Sequence, residues 1–153
     1  MIEIKDSSIS DSMAIELISE LNHSLAAITG CSGENSFDIK DMQEDQAAFV
    51  IGYINGVPMG CGAIRKLSDG IAEMKRVYAR PNHFGLAHKI VRCLEEKAID
   101  NGFQKLVLET RKVNEHAVSF YLSCGYSLIP NYGKYIQRRD AICFGKELQK
   151  RFF

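Results

Sequence analysis

Apolar and polar positions alternate through residues 2–5, the period-two signature of a strand with one buried face. The period then lengthens. Ala14, Leu17, Ile18, Leu21, Leu25 and Ile28 recur at spacings of three and four, which predicts an amphipathic helix that Ser10 or Asp11 can cap. Gly30-Cys31-Ser32-Gly33 breaks it, and residues 37–44 read as a second short helix. Strands follow at 47–54 and 57–67, joined by Asn55-Gly56, a pair that tolerates positive φ at both positions and signals a hairpin. Pro58, Gly60 and Gly62 predict that the second of these strands is irregular or bulged. Ser68-Asp69-Gly70 turns the chain into a fourth strand at 71–79.

Beyond Pro81 the architecture changes. Leu86, Ala87, Ile90, Leu94 and Ala98 form a helical stripe closed by Gly102. Leu106-Val107-Leu108 centres a buried strand. Asn114 caps a helix bearing Ala117, Val118, Tyr121 and Leu122, which stops at Gly125. Strands at 126–129 and 141–148 complete the sheet. Antiparallel hairpins followed by a β-α-β crossover predict a mixed α/β (α+β) single domain over 1–153, with seven mostly antiparallel strands and four helices.

Composition narrows the function classes. The 153 residues are 46% hydrophobic and 25% charged, as in ordinary globular domains, with zero formal net charge and so no global field for nucleic acid. The balance conceals an asymmetry: residues 1–50 hold ten acids against Lys5 and Lys40, a net of −8, and the remainder carries +8. That division suits a cleft between an anionic ligand and a cationic one, and it also suits ordinary surface helices. No apolar run approaches the ~18–20 residues of a membrane span, and the N-terminus lacks a signal-like apolar segment. Five cysteines without CxxC spacing and four histidines without ligand spacing predict a reduced, cytoplasmic protein with no structural metal.

The chemistry concentrates after the fourth strand. A strand entering a Gly-bearing turn and then a helix gathers free amides at a positive dipole end, an anion site suited to a pyrophosphate. The wording of the block, Glu73-Met74-Lys75-Arg76-Val77-Tyr78-Ala79-Arg80-Pro81, resembles the strand before the coenzyme A loop of the GCN5-related N-acetyltransferases (GNAT). Leu108-Glu109-Thr110, Asn114, Ala117, Phe120-Tyr121 and Cys124-Gly125-Tyr126 match further family signatures in order, and the resemblance spans 47–148. Two departures stand out. Asn82 replaces the usual Gln or Arg of the loop, which is about two residues shorter than the family's, and bulky Phe84 precedes Gly85.

The resemblance implies acetyl-CoA as co-substrate, a primary amine as acceptor, and the family fold, with no metal, nucleic acid or membrane partner. A homodimer is compatible with it. It implies a coenzyme site made by Val77, Tyr78 and Ala79 on the strand, by Asn82, His83, Phe84, Gly85, Leu86, Ala87 and His88 in the loop and helix start, and by Asn114. Val77 and Ala79 would pair with the pantetheine arm through their backbone. Asn114 either contacts the coenzyme or only caps its helix.

Acyl transfer to an amine needs a base for the amine's proton and a group that assists the departing thiolate. Glu73 is the candidate base, with a structural ion pair as the competing reading. The resemblance makes Tyr121 the candidate acid or hydrogen-bond donor, with a core aromatic as the alternative. A non-catalytic acyl-CoA-binding module with the same fold is the competing function. A nucleotide-binding domain is disfavoured, because neither GxGxxG nor a P-loop lysine is present. The resemblance implies that the acceptor is read by residues 10–44 and 130–140.

Overall fold

The computed structural model describes residues 1–30, 42 and 46–149. Seven strands, β1 (Ile2–Asp6), β2 (Ala48–Ile54), β3 (Val57–Ser68), β4 (Ile71–Ala79), β5 (Lys105–Arg111), β6 (Ser127–Ile129) and β7 (Ala141–Glu147), form one sheet in the order β1-β2-β3-β4-β5-β7-β6. The helices are α1 (Ser12–Thr29), α2 (Leu86–Asp100) and α3 (Glu115–Ser123). Two expectations are corrected. Among the described residues there are three α-helices, not four, and the helix expected over 37–44 lies outside them save for Met42. The sheet is mixed, because the α2 crossover brings β4 and β5 together in parallel at its centre.

Local chemistry accounts for the element ends. Asp11 caps α1 by accepting the Met13 N–H at 2.9 Å, and Gly30, at φ +78°, closes it with its N–H on the Ala26 carbonyl. Asn55 and Gly56 both take positive φ, as the β2–β3 hairpin requires.

The helices cover opposite faces of the sheet. Ala14 and Leu17 of α1 pack on Phe49, Ile51, Cys61 and Ala63. Leu86, Ile90, Val91, Leu94 and Ala98 of α2 fill the other face against Val50, Ile64, Met74, Leu106 and Phe144. Each large aliphatic side chain fully buried there contributes ~1.5–3 kcal/mol, so α2 is held chiefly by its apolar stripe. Glycines on β2 and β3 make the room: a Cβ at Gly52, Gly60 or Gly62 would come within 3 Å of an α2 side chain.

The expected irregularity is present on β3, where Gly52 pairs with Gly60 and Tyr53 with Pro58 so that Met59 is an extra residue, and a further bulge falls on the partner strand. Cys61 pairs with Tyr78 and Ala63 with Lys75, so Arg76 and Val77 of β4 together oppose Gly62 of β3. Arg76 takes φ +57°, an uncommon conformation for a bulky side chain. The bulge reverses the alternation. Before it, Ala72 and Met74 face α2; after it, Val77 and Ala79 do.

Candidate active site

The parallel pairing of β4 and β5 is short. Ile71, Ala72 and Glu73 pair with Lys105, Leu106 and Val107, and beyond this β4 has no strand partner on its β5 side among the described residues. The strands diverge into a cleft of about 410 Å³, lined by Glu73–Ala79 of β4, Leu108–Arg111 of β5, Asn114, Ala117 and Tyr121 of the α3 region, and Leu21, Leu25 and Ile28 of α1. Backbone N–H and C=O groups past Glu73 are thus left for another extended chain to pair with.

The sequence-predicted residues divide in two. Glu73, Val77, Tyr78, Ala79, Ala87, Asn114 and Tyr121 line this cleft together. Asn82, His83, Phe84, Gly85, Leu86 and His88 do not; they form the turn and helix start beyond it.

That turn is organised by Asn82. Its Nδ2 donates to the Arg80 carbonyl at 2.9 Å, and its Oδ1 accepts from the amides of Phe84 (3.0 Å) and Leu86 (3.3 Å). Gly85 adopts φ +64° at the N-terminus of α2. Two helix-start amides are therefore satisfied internally. Those of Gly85, Ala87 and His88 have no acceptor among the described residues and remain for an anion. The Leu86 side chain is fully buried in the core, Phe84 is 55% exposed, and His83 is exposed. The His88 ring sits 4.7 Å from Phe120, edge to face, with Nε2 3.1 Å from the Ser123 hydroxyl.

Glu73 is buried, with its side chain only 2% exposed. One oxygen accepts from Arg65 Nε at 3.0 Å and faces Lys75 Nζ at 3.6 Å, while the other accepts from the Tyr132 hydroxyl at 2.5 Å. Burial, then the Glu73 charge, pushes the Tyr132 phenol well above its ordinary pKa, so this hydroxyl stays protonated and donates. Tyr132 belongs to the 130–140 loop, which Glu73 thereby fastens to the sheet.

Asn114 caps α3, its Oδ1 accepting the Ala117 amide at 3.2 Å, and it lines the cleft as well. Tyr121 packs edge to face against Phe120 and Tyr126, and its hydroxyl has no hydrogen-bond partner among the described residues. Burial raises its pKa above the ordinary phenol value.

Sequence reasoning passed over several cleft residues: Lys75, Arg76, Glu109, Arg111 and Tyr135. A signal existed for Glu109, since Val107, Glu109 and Arg111 alternate with the core residues Leu106 and Leu108. Burial pushes the Glu109 carboxyl above its ordinary range, against the pull of Arg111. No pattern in the sequence marks the left-handed Arg76.

The acidic N-terminal segment is partly committed. Arg80 at the end of β4 holds Glu20 of α1 in a bidentate pair (2.9 and 2.5 Å) and reaches Glu16 at 3.3 Å, and Tyr78 donates to Glu20 at 3.0 Å. These contacts fix α1 across the cleft-lining strand. No helix among the described residues is long and apolar enough to cross a membrane, and no group of side chains there is arranged to hold a metal.

Comparison with known proteins agrees with this geometry. The "Acetyltransferase (GNAT) family" profile matches residues 18–126. An IAA acetyltransferase of Azospirillum brasilense is 24% identical over 124 residues, covering 79% of this chain and 81% of its own length. Among solved structures, an acyl-CoA N-acyltransferase from Klebsiella pneumoniae superposes with TM-score 0.83 at 28% identity, over 97% of this chain and 99% of that one. The PaiA N-acetyltransferase of Thermoplasma acidophilum, in complex with coenzyme A, gives TM-score 0.75 at 19% identity over 96% and 99% of the two chains. The chain belongs to the GNAT acetyltransferase family, and its fold is the acyl-CoA N-acyltransferase fold.

Proposed function

We propose that the protein transfers the acetyl group of acetyl-CoA to a primary amine by direct attack in a ternary complex. The observation that carries this reading is the divergence of β4 from β5 after Glu73, with the α2 N-terminus at one end of the cleft and Tyr121 in its wall. The residues fit the coenzyme. Three free amides at a helix start suit a pyrophosphate, and the unpaired edge at Val77–Ala79 suits the amides of a pantetheine arm.

The two faces of the sheet divide the work. The coenzyme arm enters from the α2–α3 side, where Tyr121 stands. The amine comes from the side of α1 and the 130–140 loop, onto which Glu73, Lys75 and Glu109 project. A thiol ionises near ~8.5, below the raised Tyr121 phenol, so at equilibrium the proton stays on Tyr121. Tyr121 therefore acts as a hydrogen-bond donor to the sulfur as charge develops there, rather than as a full proton donor. Losing one such donor costs ~10²–10³-fold in rate.

Acetyl-CoA should raise the melting temperature while NAD should not, because only a ligand of the folded state stabilises it. A panel of primary amines incubated with acetyl-CoA should then contain one that releases CoA, followed by chromatography. Tyr121→Phe should lower that rate by ~10²–10³-fold and keep the acetyl-CoA-induced shift. Binding without release would make the protein a non-catalytic acyl-CoA module. No shift at millimolar acetyl-CoA would remove both readings.

A further inference from the structure

We infer that Glu109, and not Glu73, is the carboxylate that receives the proton of the attacking amine; the inference rests on the acetyltransferase reading above. Among the described residues two acidic side chains, Glu73 and Glu109, line the cleft on the acceptor side, and their surroundings separate their roles. Glu73 has donors on both oxygens, Arg65 and Lys75 on one and Tyr132 on the other. A proton arriving there must displace a charge-assisted hydrogen bond that ties the 130–140 loop to the sheet. Glu73 is thus a positioning residue, and its carboxylate is already used.

Glu109 is held on one side only. Arg111 Nη1 donates to Oε2, and Oε1 has no donor among the described residues. No buried side-chain oxygen among those residues lacks a partner, so an Oε1 without a donor is one that the cleft exposes. Glu73 pairs with Val107, the last parallel pair before the strands diverge, so the next residues on the same face are Lys75 and Glu109. Glu109 therefore stands at the lip of the opening, one step closer than Glu73 to where the coenzyme arm and the amine converge. Its side chain is 7% exposed.

The groups facing it are Arg111 on its own strand, Lys75 on β4, Cys143 opposite it on β7, and Arg138 from the loop. Burial outweighs these cations and raises the carboxyl's affinity for a proton, as a base working near neutral pH requires.

The step balances. The amine nitrogen forms the C–N bond and loses a proton to Glu109 Oε1; the C–S bond breaks and its electron pair leaves on sulfur, hydrogen-bonded to Tyr121. The Glu109 proton then passes through solvent to the thiolate, downhill because a carboxylic acid is stronger than a thiol. Amide and free thiol result, with both side chains restored.

The test uses the intact protein and hydrolysis of acetyl-CoA without amine, where water replaces the acceptor and no substrate ionisation obscures the pH profile. Acetyl-CoA binding is first confirmed by thermal shift for the wild type, Glu109→Gln and Glu73→Gln. CoA release is then followed by chromatography against pH, and amide formation with the amine panel is measured alongside. Wild-type turnover should fall on the acid side. Glu109→Gln should keep the acetyl-CoA shift, lose ~10²–10⁴-fold in turnover and lose the acid limb. Glu73→Gln should melt lower and keep that limb. A Glu109→Gln protein with the wild-type profile, or a Glu73→Gln protein without the limb, overturns the assignment. A wild type that binds acetyl-CoA but neither hydrolyses it nor acetylates any amine overturns the acetyltransferase reading, and the assignment falls with it. A wild type that fails to bind acetyl-CoA overturns the acetyltransferase reading itself, a result seen before any rate is measured.

Discussion

Gly60→Ala offers the sharpest test of how the sheet receives α2. A Cβ built on Gly60 lies 2.7 Å from the Tyr78 carbonyl oxygen, 2.9 Å from Ile90 Cδ1 and 3.2 Å from Leu86 Cδ2. Ile90 and Leu86 can rotate their side-chain ends away, but the Tyr78 carbonyl is backbone in a paired strand and moves only if β4 moves. Overpacking of this kind costs ~1–3 kcal/mol. Alanine also restricts the unfolded chain, which returns ~0.4–1 kcal/mol. The net loss is about 1–2 kcal/mol. For a chain of this size each kcal/mol shifts Tm by roughly 2–4 °C, so a fall of about 2–8 °C is expected in a near-ultraviolet circular dichroism melt.

Gly52→Ala is the control. Its Cβ would meet side-chain atoms rather than backbone, Leu86 Cδ1 at 2.9 Å and Ile90 Cδ1 and Cγ1 at 3.3 and 3.4 Å. An off-rotamer adjustment of ~0.5–1.5 kcal/mol roughly cancels the gain in the unfolded state, leaving Tm little changed. Since Tyr78 belongs to the strand that lines the cleft, Gly60→Ala should also weaken the acetyl-CoA-induced shift more than Gly52→Ala does. A Gly60→Ala protein melting with the wild type, or no lower than Gly52→Ala, would refute the claim that backbone proximity demands glycine there.

Asn82→Ala removes the acceptor of the Phe84 and Leu86 amides; losing such a cap costs ~0.5–2 kcal/mol, a fall of about 1–8 °C in Tm, together with weaker acetyl-CoA binding by calorimetry. Unchanged melting and affinity would mean that the turn holds its shape without this side chain. The Glu20 carboxyl is held below its ordinary value chiefly by hydrogen bonds from Arg80, opposed by burial and aided by Tyr78. Its folded pKa is below its unfolded value of 4.5, so its contribution to stability is present above that pH and is lost as pH falls through the lowered value. Glu20→Gln should therefore flatten the acid side of the Tm–pH curve, and a mutant with the wild-type slope there would place the acid sensitivity elsewhere.

Much of this molecule is written in local patterns. The periods of two and of 3.6, Asn55-Gly56 in its turn, Asp11 and Asn114 as caps, and glycines at the helix ends all act over a few residues, and every described strand falls where the apolar runs and turn signals predicted one. The ordered motifs from Glu73 to Tyr126 pointed to the family, whose profile matches residues 18–126. Tertiary structure alone decided the rest. Pro58, Gly60 and Gly62 foretold the irregularity of β3, which bulges at Met59, but nothing in the chain announced the bulge at Arg76 on the facing strand, because a bulge is a property of two paired strands. Glu73 and Glu109 look alike as carboxylates on strands. They differ because Tyr132, 59 residues downstream of Glu73, folds back onto one of them, while among the described residues only Arg111 donates to the other. A carboxylate's usefulness as a base depends on which donors reach it, and those donors come from sequence-distant segments that only the folded chain brings together.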